Sequence, residues 1–369
     1  MDVYGKQRGD QQKAWEEARK RINLIFKPLL SRPAETMTRQ DLQMLADSYP
    51  SQSSASYAVR SLRPALKWAA HRALVTEDLA RILPPAPVKR RSRVLSHVEL
   101  ASLLPVLRAG TGADEMGRRF SALTGHTDVS GLHWRQIDLT ARTLTFRTKA
   151  KGKVTIHSLA LPVLAIDVLL GLPRGAPGDA VFPNATPYSA ALLLMMLTMT
   201  RRQEAAMARW RDVNFEARTW TIQDTKNGEP HTVPLSRQAI DLLQSRLPIG
   251  DEPKAREPDP SGLVFATSTG RPLGNWDRAT KLVQEASGTK AWTRHDLRRT
   301  GATMLGDMGE LPDIIEAALN HTAIHSALAA NYNRSRYRPQ VAVALQRLAD
   351  ALDEIEAGGT ESAAAGRSL

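Results

Sequence analysis

Two stretches of this 369-residue chain are variants of one pattern. Residues 134–146 read WRQIDLTARTLTF and residues 210–222 read WRDVNFEARTWTI; at an offset of 76, Trp, Arg, Ala, Arg and two Thr positions coincide. Leu123-Thr124 and Leu197-Thr198 precede the two stretches, Thr148-Lys149 and Thr225-Lys226 follow them, and Val181-Phe182 recurs as Val264-Phe265. A supersecondary unit written twice has to be placed before any site is assigned. The two writings differ in chemistry. The second carries Thr-Arg-Arg-Gln-Glu at 200–204, whereas the first has Gly-His-Thr-Asp-Val at 125–129, with no arginine and about two residues fewer. Residues of about 120–190 are therefore expected to be a degenerate partial duplication, and the chemistry belongs to the second copy.

Length points to two or three domains rather than one core. Hydrophobic residues make up 42% of the chain, enough for packed interiors. No apolar run reaches the roughly 18–20 residues of a membrane span; the richest, Ala190 to Met199, reads as a buried helix. The N-terminal MDVYGKQRGD has no apolar h-region, so no secretory signal is read there. The absence of cysteine excludes disulfides, thiolate metal sites and a cysteine nucleophile, and a cytoplasmic setting is expected. A net charge of +12 favours a polyanionic partner, with nucleic acid the first candidate.

Residues from about Gln11 to Leu83 read as helical. Trp15, Ala18, Ile22 and Ile25 share one face, Thr38 with Asp41 caps a helix through Leu45, and Ser54 opens a helix to Leu74. That last helix is expected to turn Tyr57, Leu62, Leu66, Ala69 and Ala70 inward and to carry Arg60, Arg63, Lys67 and Arg72 on its other face, either as a solvated face or as one that lies on phosphates. Pro84-Pro85-Ala86-Pro87 followed by Lys89, Arg90, Arg91 and Arg93 marks an interdomain linker. Beyond it, Ser96–Leu107 is a capped helix. Arg218–Gln223 and His231–Leu235 are two strands joined around Asn227-Gly228, and Glu310–Leu319 and Pro339–Ile355 are helices. The fold class expected is α+β, mainly helical with small β-sheets.

Attack on a phosphodiester builds negative charge, so a site that cuts DNA needs fixed guanidinium donors, a nucleophile and a proton donor for the departing oxygen. Residues 295–300, HDLRRT, place His295 and Arg298 one helical turn apart. Taken alone that spacing is expected by chance in a chain this rich in arginine. Four segments in order carry more weight: TMTRRQEAAMARWRDV (198–213), TKNGEPHTVPL (225–235), HDLRRTGATML (295–305) and LNHTAIHSALAANY (319–332). Together these resemble the first arginine box, the lysine-bearing β-hairpin, the second box and the histidine–tyrosine segment of the tyrosine recombinases of the phage-integrase type. Residues 11–83 resemble that family's helical core-binding domain, and the resemblance spans nearly all the chain except about 77 residues.

The resemblance implies a helical core-type DNA-binding domain at 1–88, a linker at 89–95, a catalytic domain at 96–357 and a disordered tail at 358–369. It implies that Arg201 and Arg298 grip the scissile phosphate with His321 as a third donor, that Lys226 protonates the leaving 5′ oxygen, that His295 assists proton transfer and that Tyr332 attacks. Arg202 competes with Arg201, and Tyr337 with Tyr332; the spacing of eleven residues from His321 suits Tyr332. Lys226 has the alternative of a solvated hairpin lysine, and His321 that of a helix-end histidine. Glu204 reads as a structural partner. No metal or other cofactor is implied.

The partners implied are double-stranded DNA bound as a C-shaped clamp, a homotetramer on that DNA with the 339–355 helix docked on a neighbour, and accessory DNA-bending proteins. No membrane is implied, and the setting is the bacterial nucleoid. The function implied is integration or excision of a mobile element. The alternatives are a DNA-binding relative that no longer recombines, or an enzyme that resolves chromosome dimers or relaxes supercoils. Two positions depart from the family pattern: Met199 and Asn320 stand where glycine is usual.

Overall fold

A computed structural model describes residues 4–6, 15–87, 91–126, 128–150, 153–183, 185–225, 228–248, 257–267, 269–321 and 337–365. The chain forms two compact units, Met1–Ser92 and Arg93–Leu369.

The first unit is helical. Helix α1 (Trp15–Ile25) buries Trp15, Ala18, Ile22 and Ile25, the face its periodicity predicts. Helix α2 (Arg39–Ser48) opens with the Thr38–Asp41 capping box. Helix α3 (Gln52–Ala70) begins earlier than Ser54, because the Ser51 hydroxyl accepts from the Ser54 N–H at 3.4 Å. Its inner face differs from the expected one: Ala55, Ser56, Ala58, Val59, Leu62 and Ala65 are buried, while Tyr57, Leu66, Ala69 and Ala70 are half-buried. Small side chains on one stripe let α3 lie close to its neighbours, and that outweighs the larger but more widely spread apolar set. Arg60, Lys67 and Arg72 are exposed, and Arg72 stacks over the Trp68 ring at 4.3 Å.

The second unit is organised around one helix. Helix α4 (His97–Thr124) starts at the Ser96–Glu99 capping box and runs 28 residues, through Pro105 and far beyond the expected Leu107. The first sheet follows: β1 (Ile137–Asp138), β2 (Thr143–Ala150) and β3 (Lys153–Ala160), antiparallel in that order. Next come α5 (Val163–Leu170) and α6 (Pro187–Thr198), whose residues from Ser189 to Thr198 are all buried. Helix α6 packs against α4 and lies in the main core, so it is apolar on every side. Helix α7 (Arg202–Ala206) leads to the second sheet, β4 (Val213–Asn214), β5 (Thr219–Ile222) and β6 (His231–Pro234), also antiparallel in chain order. Helices α8 (Arg237–Ser245), α9 (Trp276–Ser287), α10 (Arg294–Asp307), α11 (Pro312–Ala318) and α12 (Arg338–Ala365) complete the unit.

The two sheets are built alike. Ile137 pairs with Leu144 as Val213 pairs with Trp220. Arg142 and Arg218 both adopt positive φ, and their carbonyls accept from Leu161 and Leu235, each at 2.8 Å. Val181 N–H reaches the Leu132 carbonyl at 2.8 Å, and Val264 N–H reaches that of Ala208 at 2.9 Å. The first sheet covers its own apolar cluster, which includes Phe120, Trp134, Leu144, Val168 and Phe182. It is thus a packed half-unit, separate from the core around α6.

Helix α12 reaches further than the helix expected over Pro339–Ile355. It packs on its own chain, burying Val341, Ala344, Leu345, Leu348, Ala349 and Leu352, with Arg108 bound to Asp353 and Glu356. It continues to Ala365, past the Gly358-Gly359 pair where composition predicts a disordered tail. Two glycines cost the helix about 1 kcal/mol each, and the helix-forming Ala363-Ala364-Ala365 follows them.

Candidate active site

Arg201 is placed by a turn and a cap. Helix α6 ends at Met199, whose φ of +51° is left-handed. That conformation explains why glycine suits the position; Gly125, which ends α4, likewise has φ of +71°. The chain then enters α7 at Arg201, where Glu204 closes a capping box. Its carboxylate accepts from the Arg201 N–H at 2.7 Å and pairs with the Arg201 guanidinium at 2.7 Å. Glu204 is buried and is the structural partner expected of it.

His295 and Arg298 are placed by the start of α10. Asp296, fully buried, accepts from the Thr293 N–H and hydroxyl, each at 2.8 Å, and pairs with Arg299. The segment leading into α4 is tied to the same helix, since Leu95 N–H donates to the Thr300 hydroxyl at 3.0 Å. One turn of helix thereby presents both groups to one side.

Arg201, His295 and Arg298 meet around a cavity of about 340 Å³, together with Thr200, Arg202, Gln203, Thr293 and Arg294. Arg298 is 4% exposed, so its guanidinium is fixed rather than solvated. Its two Nη groups donate to the carbonyls of Met199 and Leu319. Burial first, and then the Arg201 cation, bring its pKa down to about 10, which still leaves it charged at neutral pH. Burial, followed by the Arg299 and Arg298 cations, holds His295 below the usual histidine range. The cavity is thus lined by four arginines, of which Arg201 and Arg298 are the two that the motifs single out, and by an imidazole kept neutral.

His321 follows α11, two residues past the Leu319 carbonyl that Arg298 holds. Its Nδ1 lies 2.6 Å from a Glu316 carboxylate oxygen. Asn320, before it, adopts φ of +47°, again the conformation that favours the family's glycine and that asparagine tolerates. Among the described residues, His321 does not line the cavity. Arg202 lines it from the first turn of α7, but only Arg201 is clasped by Glu204. Lys226 and Tyr332 lie outside the described residues. Among the described neighbours, buried Thr225 donates to the Glu229 carbonyl at 2.7 Å, and Gly228 has φ of +81°. Tyr337, the rival tyrosine, packs against the main core at the base of α12.

The profile of the phage integrase family matches residues 178–338, which hold both arginine segments, the hairpin and the histidine–tyrosine segment. Residues 178–338 are thus similar to the phage integrase family, the family of tyrosine recombinases that the sequence motifs resemble. The chain is 33% identical to prophage integrase IntA of Escherichia coli over 167 residues, 44% of this chain and 38% of that protein. It is 28% identical to tyrosine recombinase XerD of Mycobacterium tuberculosis over 168 residues, 44% of this chain and 53% of that protein. The matched stretch is thus two fifths to about half of these recombinases.

Among solved structures, a lambda integrase dimer bound to a core site matches with a TM-score of 0.52 at 17% identity, covering 91% of this chain and 93% of that one. The Tn1549 transposon integrase in complex with circular intermediate DNA matches with a TM-score of 0.52 at 15% identity, covering 92% and 96%. These likenesses establish the integrase fold. Among the described residues, no helix is long and apolar enough to cross a membrane.

The sequence reading missed three supports of this site: Asp296, Glu316 and the pair of left-handed turns. The Thr293–Asp296 capping box was legible from its spacing. Glu316 stands five residues from His321, a separation that matches no helical pairing rule.

Proposed function

We propose that this protein cuts and rejoins double-stranded DNA at a specific site, through Tyr332, in the service of a mobile element. The observation that carries the reading is the cavity in which Arg201 and Arg298 flank a neutral His295. In this account both guanidiniums hold the non-bridging oxygens of one phosphodiester and oppose the charge that builds during attack. His321 adds a third donor. The Tyr332 oxygen forms a bond to phosphorus and gives up its proton to neutral His295. The bond from phosphorus to the 5′ oxygen breaks, and that oxygen takes a proton from Lys226. A 3′-phosphotyrosyl link and a free 5′ hydroxyl result. The link conserves the bond energy, so a second 5′ hydroxyl can reverse the step on a new partner. The packing of Tyr337 into the core favours Tyr332 as nucleophile.

Four strands are exchanged between two duplexes in recombination, so the working assembly is a tetramer on DNA, with DNA-bending proteins as accessory partners. A solved lambda integrase tetramer bound to a Holliday junction shares the fold, at a TM-score of 0.52 and 16% identity. No step in this scheme calls on a metal. The test is cleavage of a nicked duplex carrying the element's attachment sequence, with and without EDTA. Equal cleavage, leaving 5′ hydroxyl ends, is expected. Cleavage abolished by EDTA, or leaving 5′ phosphates, contradicts the scheme.

A further inference from the structure

The first sheet is a packed half-unit without the arginine box, and the catalytic scheme leaves it idle. It nevertheless has a cavity of its own, about 980 Å³, at the end of α4. His126, His133, Arg135, Phe146 and Arg147 line it, with the Asp128 carboxylate also on its wall. Phe146 lies between the His126 and His157 rings, at 4.8 and 5.1 Å. The His157 ring is in turn held by the Thr148 hydroxyl at 2.8 Å. The wall is therefore rigid where it carries its aromatic groups.

The charges differ from those of the second copy in one direction. In the second copy, Gln223 donates to the Asp212 carboxylate at 3.1 Å, so the pair satisfies itself. At the equivalent positions, 76 earlier, stand Arg147 and Gln136. The acid is gone and a cation has appeared. Gln136 turns instead to the Thr145 carbonyl at 3.4 Å. Arg135 and Arg147 are exposed, and among the described residues neither guanidinium has a hydrogen bond or ion pair. The hairpin sequence follows the same trend. Residues 147–153 hold four cations and no acid, a charge of +4, while residues 223–229 hold one cation and two acids, a charge of −1. Unpaired arginines beside a lysine-rich hairpin are the usual means of holding a phosphate backbone.

We propose that the first sheet is a second, non-catalytic DNA-backbone site, in which Arg135 and Arg147 each take a phosphate of the duplex. This rests on the reading of the chain as a DNA recombinase. The site holds DNA without cutting it, because Thr127 and Asp128 stand where the second copy has Arg201 and Arg202.

The test is the affinity of the full chain for a labelled duplex, measured from about 50 to about 200 mM salt, for wild type and for Arg135→Ala/Arg147→Ala. Loss of two phosphate contacts should make the slope of log affinity against log salt shallower by about 2. Arg135→Lys/Arg147→Lys keeps both charges and should keep most of the slope. Covalent adduct formed at saturating DNA should not change, since neither residue touches the reacting phosphate. A wild-type slope in the alanine variant, with duplex binding intact, overturns this proposal alone. A wild-type chain that fails to bind duplex at any salt overturns the recombinase reading with it.

Discussion

Arg298 donates from one end of its guanidinium to the main-chain carbonyl of Met199, the residue that turns the chain toward Arg201. Its other end holds the carbonyl of Leu319, just before His321. A single buried side chain thus sets the spacing of two segments that the sequence places more than a hundred residues apart. Arg298→Lys keeps the charge but cannot span both carbonyls. It should cost about 1–3 kcal/mol of stability, the usual penalty for a buried acceptor left unpaired. It should also lower adduct formation by about a hundredfold or more. Urea denaturation checks the first effect, and a wild-type midpoint would mean that the bridge is not structural.

Met199 and Gly301 form a matched pair. A Cβ on Gly301 would lie 3.0 Å from Met199 Cγ and 3.3 Å from Leu348 Cδ2. Alanine in place of a mid-helix glycine ordinarily stabilises by up to about 1 kcal/mol. Here overpacking reverses the sign, and Gly301→Ala should destabilise by about 1–3 kcal/mol. Met199→Ala makes room, so the double variant should be more stable than the sum of the single changes allows. Strict additivity in that double-mutant cycle counts against the contact.

His295 makes stability depend on pH in a stated direction. Its folded pKa lies below the unfolded value of about 6.5. As pH falls, the unfolded chain therefore binds the proton first. The stabilising contribution is complete above the unfolded pKa and is lost as pH falls through the folded one. His295→Gln should narrow the stability difference between about pH 7.5 and about pH 5.5. An unchanged difference, by denaturation at both values, contradicts the assignment. Bound DNA should oppose the shift, because a phosphate near the imidazole favours its cation.

Asp114 holds two arginines from within α4: Arg246, buried beside it, and Arg118 at 3.2 Å. Arg118 also donates to the Arg246 and Leu247 carbonyls at the end of α8, at 3.4 and 3.3 Å. Burial brings the Arg246 pKa down to about 10, so it stays charged at neutral pH. Asp114→Asn leaves that charge unpaired and should cost about 3–5 kcal/mol. Thermal unfolding within about 1 °C of wild type would show that the pair contributes little.

Much of the site was legible because its signals are local. Arg201, His295 and Arg298 stand on short motifs, and Thr38–Asp41 and Ser96–Glu99 announce their helix starts by a three-residue spacing. The burial of α6 followed from its unbroken apolar run. What was not legible depends on tertiary choice. The register of α3 was decided by small residues that pack closely, which hydrophobicity alone ranks too low. The docking of α12 on its own chain turns on Arg108 meeting Asp353 and Glu356, residues far apart in sequence. Met199 and Asn320 looked like blemishes in a pattern, and only their positive φ shows what the pattern asks of those positions.

The most direct test of the central claim is covalent trapping. The full chain is incubated with a nicked duplex bearing its attachment sequence and resolved under denaturing conditions, beside Tyr332→Phe and Tyr337→Phe. The account predicts a protein–DNA adduct in the wild type and in Tyr337→Phe, and none in Tyr332→Phe. An adduct that survives in Tyr332→Phe, or a wild type that binds DNA tightly and never forms one, contradicts it.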